Sequence, residues 1–195
     1  MTDIETHARQ FTKPECEELL RNIGYDNRAP SDYNAILRLY ETIGKCGRGF
    51  ALRGINGIGK TMVARALLKS NCFDDERTVA FTMNNQDKNL ATVPGVSWRN
   101  MPPNGIWVYL DDVGMEEGIS DFGIRYESFS KAVQRIYNMR QNGMKVRLVL
   151  TTNLSDLDML QRYGTHIVDR IDDLVVWLTM EGRGYSERKR MEIKA

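Results

Sequence analysis

The sequence predicts an α/β fold with a mostly parallel sheet covered by helices on both faces. Three observations carry this. Short apolar runs alternate with stretches of helical periodicity. The run Phe50-Ala51-Leu52 passes through a glycine-rich turn into a breaker-free helix, Met62 to Leu68. Two later apolar runs, Ile106 to Leu110 and Val146 to Leu150, end in acidic or polar residues. Alternation of this kind is what a parallel sheet with crossover helices requires.

The turn is the most informative stretch. Gly54, Gly59, Lys60 and Thr61 fit the pattern G-x-x-x-x-G-K-[ST], with Ile55, Asn56, Gly57 and Ile58 between them and Met62 after them. Glycines let backbone N–H groups close around phosphate oxygens, and the start of the helix adds positive partial charge. Lys60 then reaches the β- and γ-phosphates, and the Thr61 hydroxyl holds magnesium. The opposite reading is a chance match on a glycine-rich turn, and the flanking strand and helix argue against it.

Composition sets the outer bounds. A chain of 195 residues with 42% hydrophobic residues builds one domain with a full core and at most a short appendage. The net charge is +1, so any nucleic-acid contact must come from a local patch. Cys16, Cys46 and Cys72 lack metal-ligand spacing and read as free thiols in a reducing compartment. No apolar run approaches the ~18 residues of a membrane span, and the N-terminus lacks a signal h-region. A soluble, cytoplasmic protein is expected.

Residues 1–30 form a short polar lead. A helix starts near Pro14, presents Cys16, Leu19, Leu20 and Ile23 on one face, and ends at Gly24. Ser31 or Asp32 caps the next helix, whose Ile36, Leu37, Leu39, Tyr40 and Ile43 lead to a stop at Gly44. The lead is either a brace packed on the sheet or a tail for a partner. Beyond the first strand and its helix, Thr78 to Met83 reads as a strand. Residues 84–104 are polar and broken by prolines, with Trp98 either a packing residue or a base-stacking one.

Ile106 to Asp112 is a buried strand ending in two acids. In the functional reading Asp111 sits beside the magnesium shell and Asp112 activates water; otherwise both cap the turn before Gly114. Glu116 and Glu117 either support the site or are surface charge. A helix from about Tyr126 to Asn142 precedes the strand Val146 to Asn153. Asn153 either orients water and senses the γ-phosphate or caps the chain from Leu154 onward. Ser155 caps a short helix, with Asp158 three residues on. Arg170 lies between apolar residues, either at an interface or bridged to Asp169 or Asp172. Leu174 to Met180 is the last strand, and the end is basic, with Arg183, Arg188, Lys189 and Arg190.

The order Gly-Ile-Asn-Gly-Ile-Gly-Lys-Thr, Tyr-Leu-Asp-Asp-Val-Gly-Met-Glu, Leu-Val-Leu-Thr-Thr-Asn-Leu-Ser, Arg-Tyr-Gly-Thr-His-Ile-Val-Asp-Arg-Ile and Gly-Tyr-Ser-Glu-Arg resembles one family. It is similar to the AAA+ ATPase domain of DnaC-type helicase loaders and IstB-type transposition helpers, over roughly residues 33–190. The resemblance implies a P-loop NTPase of the AAA+, RecA-like kind. That is a three-layer sandwich, with residues 1–30 as lead, 31–195 as ATPase domain and no separate lid. It implies that Gly54 to Thr61 is Walker A, Asp111 and Asp112 are Walker B, and Asn153 is sensor 1. Arg170 would be an arginine finger completing a neighbouring subunit's site, and Arg188 the sensor 2 arginine. ATP with Mg2+ is the implied ligand, and self-association the implied assembly. A replicative helicase, a transposase and single-stranded DNA are the implied partners. Asp112 stands where glutamate is usual, which implies slow hydrolysis. The competing classes are a non-hydrolysing ATP-bound regulator and a small-molecule P-loop kinase. A DNA contact would fall on Lys131, Arg135, Arg140, Lys145 and Arg147 or on the basic end; a merely solvated face is the alternative.

Overall fold

The computed structural model describes residues 13–25, 30–71, 77–82, 105–115 and 124–182. The chain runs α1 (Lys13–Asn22), α2 (Pro30–Cys46), β1 (Gly49–Arg53), α3 (Lys60–Asn71), β2 (Arg77–Thr82) and β3 (Ile106–Val113). It continues with α4 (Ile124–Gln141), β4 (Val146–Thr152), α5 (Asp156–Tyr163), α6 (Thr165–Leu174) and β5 (Val175–Thr179). The five strands pair in the order β2-β3-β4-β1-β5, and every pairing is parallel.

A parallel sheet is covered on both faces, so its inner strands are apolar throughout rather than alternating. β1, β3 and β4 show this, and their side chains sort by parity into two cores. Ile106, Val108 and Leu110 join Val146, Leu148 and Leu150 beneath α4, α5 and α6. Trp107, Tyr109, Phe50, Leu52 and Val149 face the other way, toward α1, α2 and α3. The three expected layers are therefore present, and the lead helix α1 belongs to the second core through Cys16 and Leu20. Burial pushes the Cys16 thiol up to about 12, which makes it a packing group.

Several local expectations are corrected. Gly44 does not stop α2, which continues to Cys46 before Gly47 turns the chain at φ 62. One glycine costs a helix about 1 kcal/mol, less than the buried face of Ile36, Tyr40 and Ile43 supplies. Helix α2 begins at Pro30, so Asp32 lies inside its first turn instead of capping it. Its buried carboxylate accepts the amides of Glu181 and Gly182, both at 2.9 Å, and ties the chain beyond β5 to α2. Helix α4 starts at Ile124, and the stretch around Arg170 is a full helix, α6, which includes Leu174. Arg48 donates to the carbonyls of Asp172 and Val175 and closes the end of α6 onto the sheet. Among the described residues no helix is long and apolar enough to cross a membrane.

Phe129 of α4 is fully buried, with its ring 4.5 Å from that of Tyr163 on α5. Phe129→Ala is expected to lower unfolding free energy by about 3–5 kcal/mol in urea titrations.

Candidate functional site

The strand order decides where the site lies. Because β4 sits between β3 and β1, the carboxyl ends of all three are neighbours. They deliver Asp111 and Asp112, Asn153, and the loop from Gly54 to Gly59. Ligands of open α/β sheets bind at such carboxyl ends. The cleft there measures about 700 Å³ and is lined by Asn56, Gly57, Gly59, Lys60, Thr61, Met62 and Asp112, with Ile23, Arg65 and Ala66.

The loop is built by contrast between one anchored and several exposed residues. Ile58 is buried in the core under α3, whereas Ile55, Asn56 and Gly57 are exposed. Gly54 has φ 156 and lies so near Met180 that a Cβ would fall 2.7 Å from its carbonyl oxygen. Gly59, at φ 104, packs against the ring of Tyr25, which connects the lead to the loop.

Lys60 opens α3 and is only 5% exposed. Its ammonium donates to Gly54 O at 2.8 Å, Ile55 O at 2.9 Å and Asn153 Oδ1 at 2.5 Å. Burial lowers its pKa from the usual lysine range, and the negative charge of Asp112 and then Asp111 opposes that shift. Asn153 is thus joined to the loop. The cap of α5 is Ser155, in a complete capping box with Asp158.

Asp111 is 3% exposed, and one oxygen, Oδ1, accepts three hydroxyls. These are Thr61 at 2.9 Å, Tyr109 at 2.6 Å and Thr151 at 2.6 Å. Oδ2 lies 3.6 Å from the exposed guanidinium of Arg65. Burial, then the bond to Asp111, drives the Tyr109 phenol far above its ordinary range, so it stays a donor. Asp112 stands at φ 58, the sole positive φ of a non-glycine residue among those described. Its carboxyl is raised from the ordinary range by partial burial and by Asp111.

The set Thr61 and Asp111 offers hard oxygens, which suit magnesium. The loop glycines leave the backbone approach that phosphates need. Nucleotide and metal therefore fit the residues present.

Arg170 is not in this cleft. It sits half-buried on α6 with its guanidinium 5.3 Å from the centre of the Tyr137 ring. The expected alternative, a bridge to Asp169 or Asp172, is not formed; the Asp172 carboxylate accepts the Trp177 Nε1–H at 2.6 Å instead. Of the basic group before Asn153, Arg147 stacks on Trp107 at 4.9 Å, while Lys131, Arg135 and Lys145 are exposed. Arg188, Arg183, Lys189, Arg190, Glu116, Glu117, Trp98 and Cys72 lie outside the described residues. Sequence reading missed Tyr109, Thr151, Arg65 and Ile23. Tyr109 had a signal, because it shares a strand face with Asp111 two residues on.

A five-stranded parallel sheet in this order, with the glycine loop leaving its β1 strand, is the α/β fold the sequence predicts. The particular likeness is to DnaC: the crystal structure of the DnaC helicase loader matches with a TM-score of 0.57 and 21% identity, over 76% of this chain and 90% of that one. Rif2, in complex with the C-terminal domain of Rap1, matches with a TM-score of 0.51 and 10% identity, over 96% of this chain and 64% of Rif2. AMPPCP-bound DnaA from Aquifex aeolicus gives 0.48 and 16%, over 86% of this chain and 51% of DnaA. No protein-family model matches the sequence, and no curated protein does.

The raised Asp112 pKa has a stability consequence. Folding disfavours its charged form, and that penalty is absent below the unfolded-state titration and complete above the folded-state one. Asp112→Asn is expected to melt above wild type near pH 8, with the gap closing as pH falls toward about 4. Differential scanning calorimetry across that range checks the sign.

Proposed function

We propose that this protein is an ATP-binding AAA+ switch that hydrolyses ATP and serves a DNA-replication or transposition machine. One observation carries the reading: Lys60, Thr61 and Asp112 line one cleft at the strand ends, where Lys60 bonds Asn153 and Thr61 bonds Asp111. Lys60 offers a buried cation to the β- and γ-phosphates. Thr61 and Asp111 hold magnesium, which when bound neutralises charge on the phosphate oxygens. Asp112 takes the proton of an attacking water, and its raised pKa brings it closer to a useful base. Asn153 orients that water. Gly54 to Met62 cradle the phosphates, and Arg188 contacts the nucleotide from the basic end.

Arg170 acts in trans in this reading. Its separation from its own cleft supports that assignment. The DnaC-like fold supports a helicase-loader role, with a replicative helicase or a transposase as the partner and single-stranded DNA as a further contact. A cytoplasmic location belongs to the same reading. A second reading, an ATP-bound regulator that does not turn over, draws on Asp112, whose side chain is one methylene shorter than glutamate.

Hydrolysis measured with and without single-stranded DNA tests the proposal. Lys60→Ala is expected to abolish nucleotide binding by calorimetry, and unchanged affinity would remove the phosphate-loop assignment. Activity per subunit is expected to rise with protein concentration. Arg170→Ala should bind ATP but lose turnover, by about 10³- to 10⁵-fold as for other arginine fingers. Mixing it with Lys60→Ala should restore part of the activity, since one interface then pairs an intact loop with an intact arginine. Concentration-independent turnover without rescue would place Arg170 outside the reaction.

A further inference from the structure

Consecutive residues of a strand point to opposite faces. Asp111 and Asp112 nonetheless belong to one site: Asp111 bonds Thr61, and Asp112 lines the cleft beside Thr61. The reason is a bulge in β3. Leu110 pairs with Leu150 and Val113 with Thr152, so Asp111 and Asp112 together oppose the single residue Thr151. The core records the same shift in phase. Ile106, Val108 and Leu110 face α4, and so does Val113, which unbroken alternation would turn away.

A bulge removes ladder hydrogen bonds, and the left-handed conformation of Asp112 costs about 1–3 kcal/mol, so something must hold it. Threonine hydroxyls do. Thr151 Oγ1 donates to Asp111 Oδ1 at 2.6 Å and accepts the Asp112 amide at 2.9 Å. Thr152 Oγ1 donates to the Val113 carbonyl at 2.7 Å and accepts the Leu154 amide at 3.1 Å. Both threonines are fully buried, and each hydroxyl both donates and accepts.

We infer that Thr151 is a positioning residue, whose one hydroxyl fixes the Asp111 carboxylate and the Asp112 backbone together, and so keeps Asp111 on Thr61 and aims Asp112 into the cleft. The inference rests on the hydrolytic reading above and deepens it. Thr151 does not line the cleft; it acts through the two acids. Removing its hydroxyl should release Asp112 while leaving the phosphate loop intact, because neither Lys60 nor the loop glycines bond to Thr151.

The test compares Thr151→Val and Thr151→Ala, which lack the hydroxyl, with Thr151→Ser, which keeps it. Supporting results are a kcat lowered about 10- to 100-fold in Val and Ala with calorimetric ATP affinity kept, and a serine variant close to wild type. NMR amide exchange should also show loss of protection at Asp112 in Val and Ala but not in Ser. Wild-type turnover in Val, a serine variant as slow as Val, loss of ATP affinity in step with kcat, or failure of both hydroxyl-free variants to fold would overturn the assignment. If wild type itself does not hydrolyse ATP, the hydrolytic reading fails, and Asp112 amide exchange alone decides the clamp.

Discussion

The buried carboxylate of Asp111 is the constraint that organises the site. Removing an ionised carboxylate from water costs several kcal/mol, and water is replaced here by three hydroxyls on one oxygen. Hydrogen bonds to a charged group contribute about 1.5–3 kcal/mol each, so three of them offset a penalty of that size. The donors come from α3, β3 and β4. Satisfying one charge therefore sets the position of the loop helix against two strands.

The second acid obeys a different logic. Asp112 is held in a strained conformation, and its charge is disfavoured by burial and by its neighbour. Strain of this kind persists only where surrounding structure overrides it. Here the overriding elements are the Thr151 and Thr152 hydroxyls and the Asp112 carbonyl, which accepts the Met115 amide at 3.0 Å. The two adjacent carboxylates thus differ in kind, one anchored and one poised.

The sheet and most of the cleft were legible in the sequence. The inner strands are unbroken apolar runs, and Gly54 to Thr61 requires the geometry it adopts. Thr151 was not legible, because its part depends on a bulge that no periodicity announces. Arg170 and α6 were obscure for another reason. A helix starting directly after Gly164 has no side-chain cap, so nothing in the residues marks its beginning. Asp32 misled because an acid near a helix start usually caps it, whereas its true partners lie 149 and 150 residues away.

That last contact bears on how the chain is made. β1 is an early strand, yet both its neighbours, β4 and β5, are synthesised late. During translation the β1 residues Phe50 and Leu52 have no strand to pair with until β4 has been made, about 100 residues later. The Asp32 carboxylate waits longer still, for Glu181 and Gly182. Contacts of such long range are slow to form, and the unpaired apolar strand is meanwhile prone to aggregate. Until β5 pairs, the sheet has an open edge at β1, which is a template for pairing with another chain.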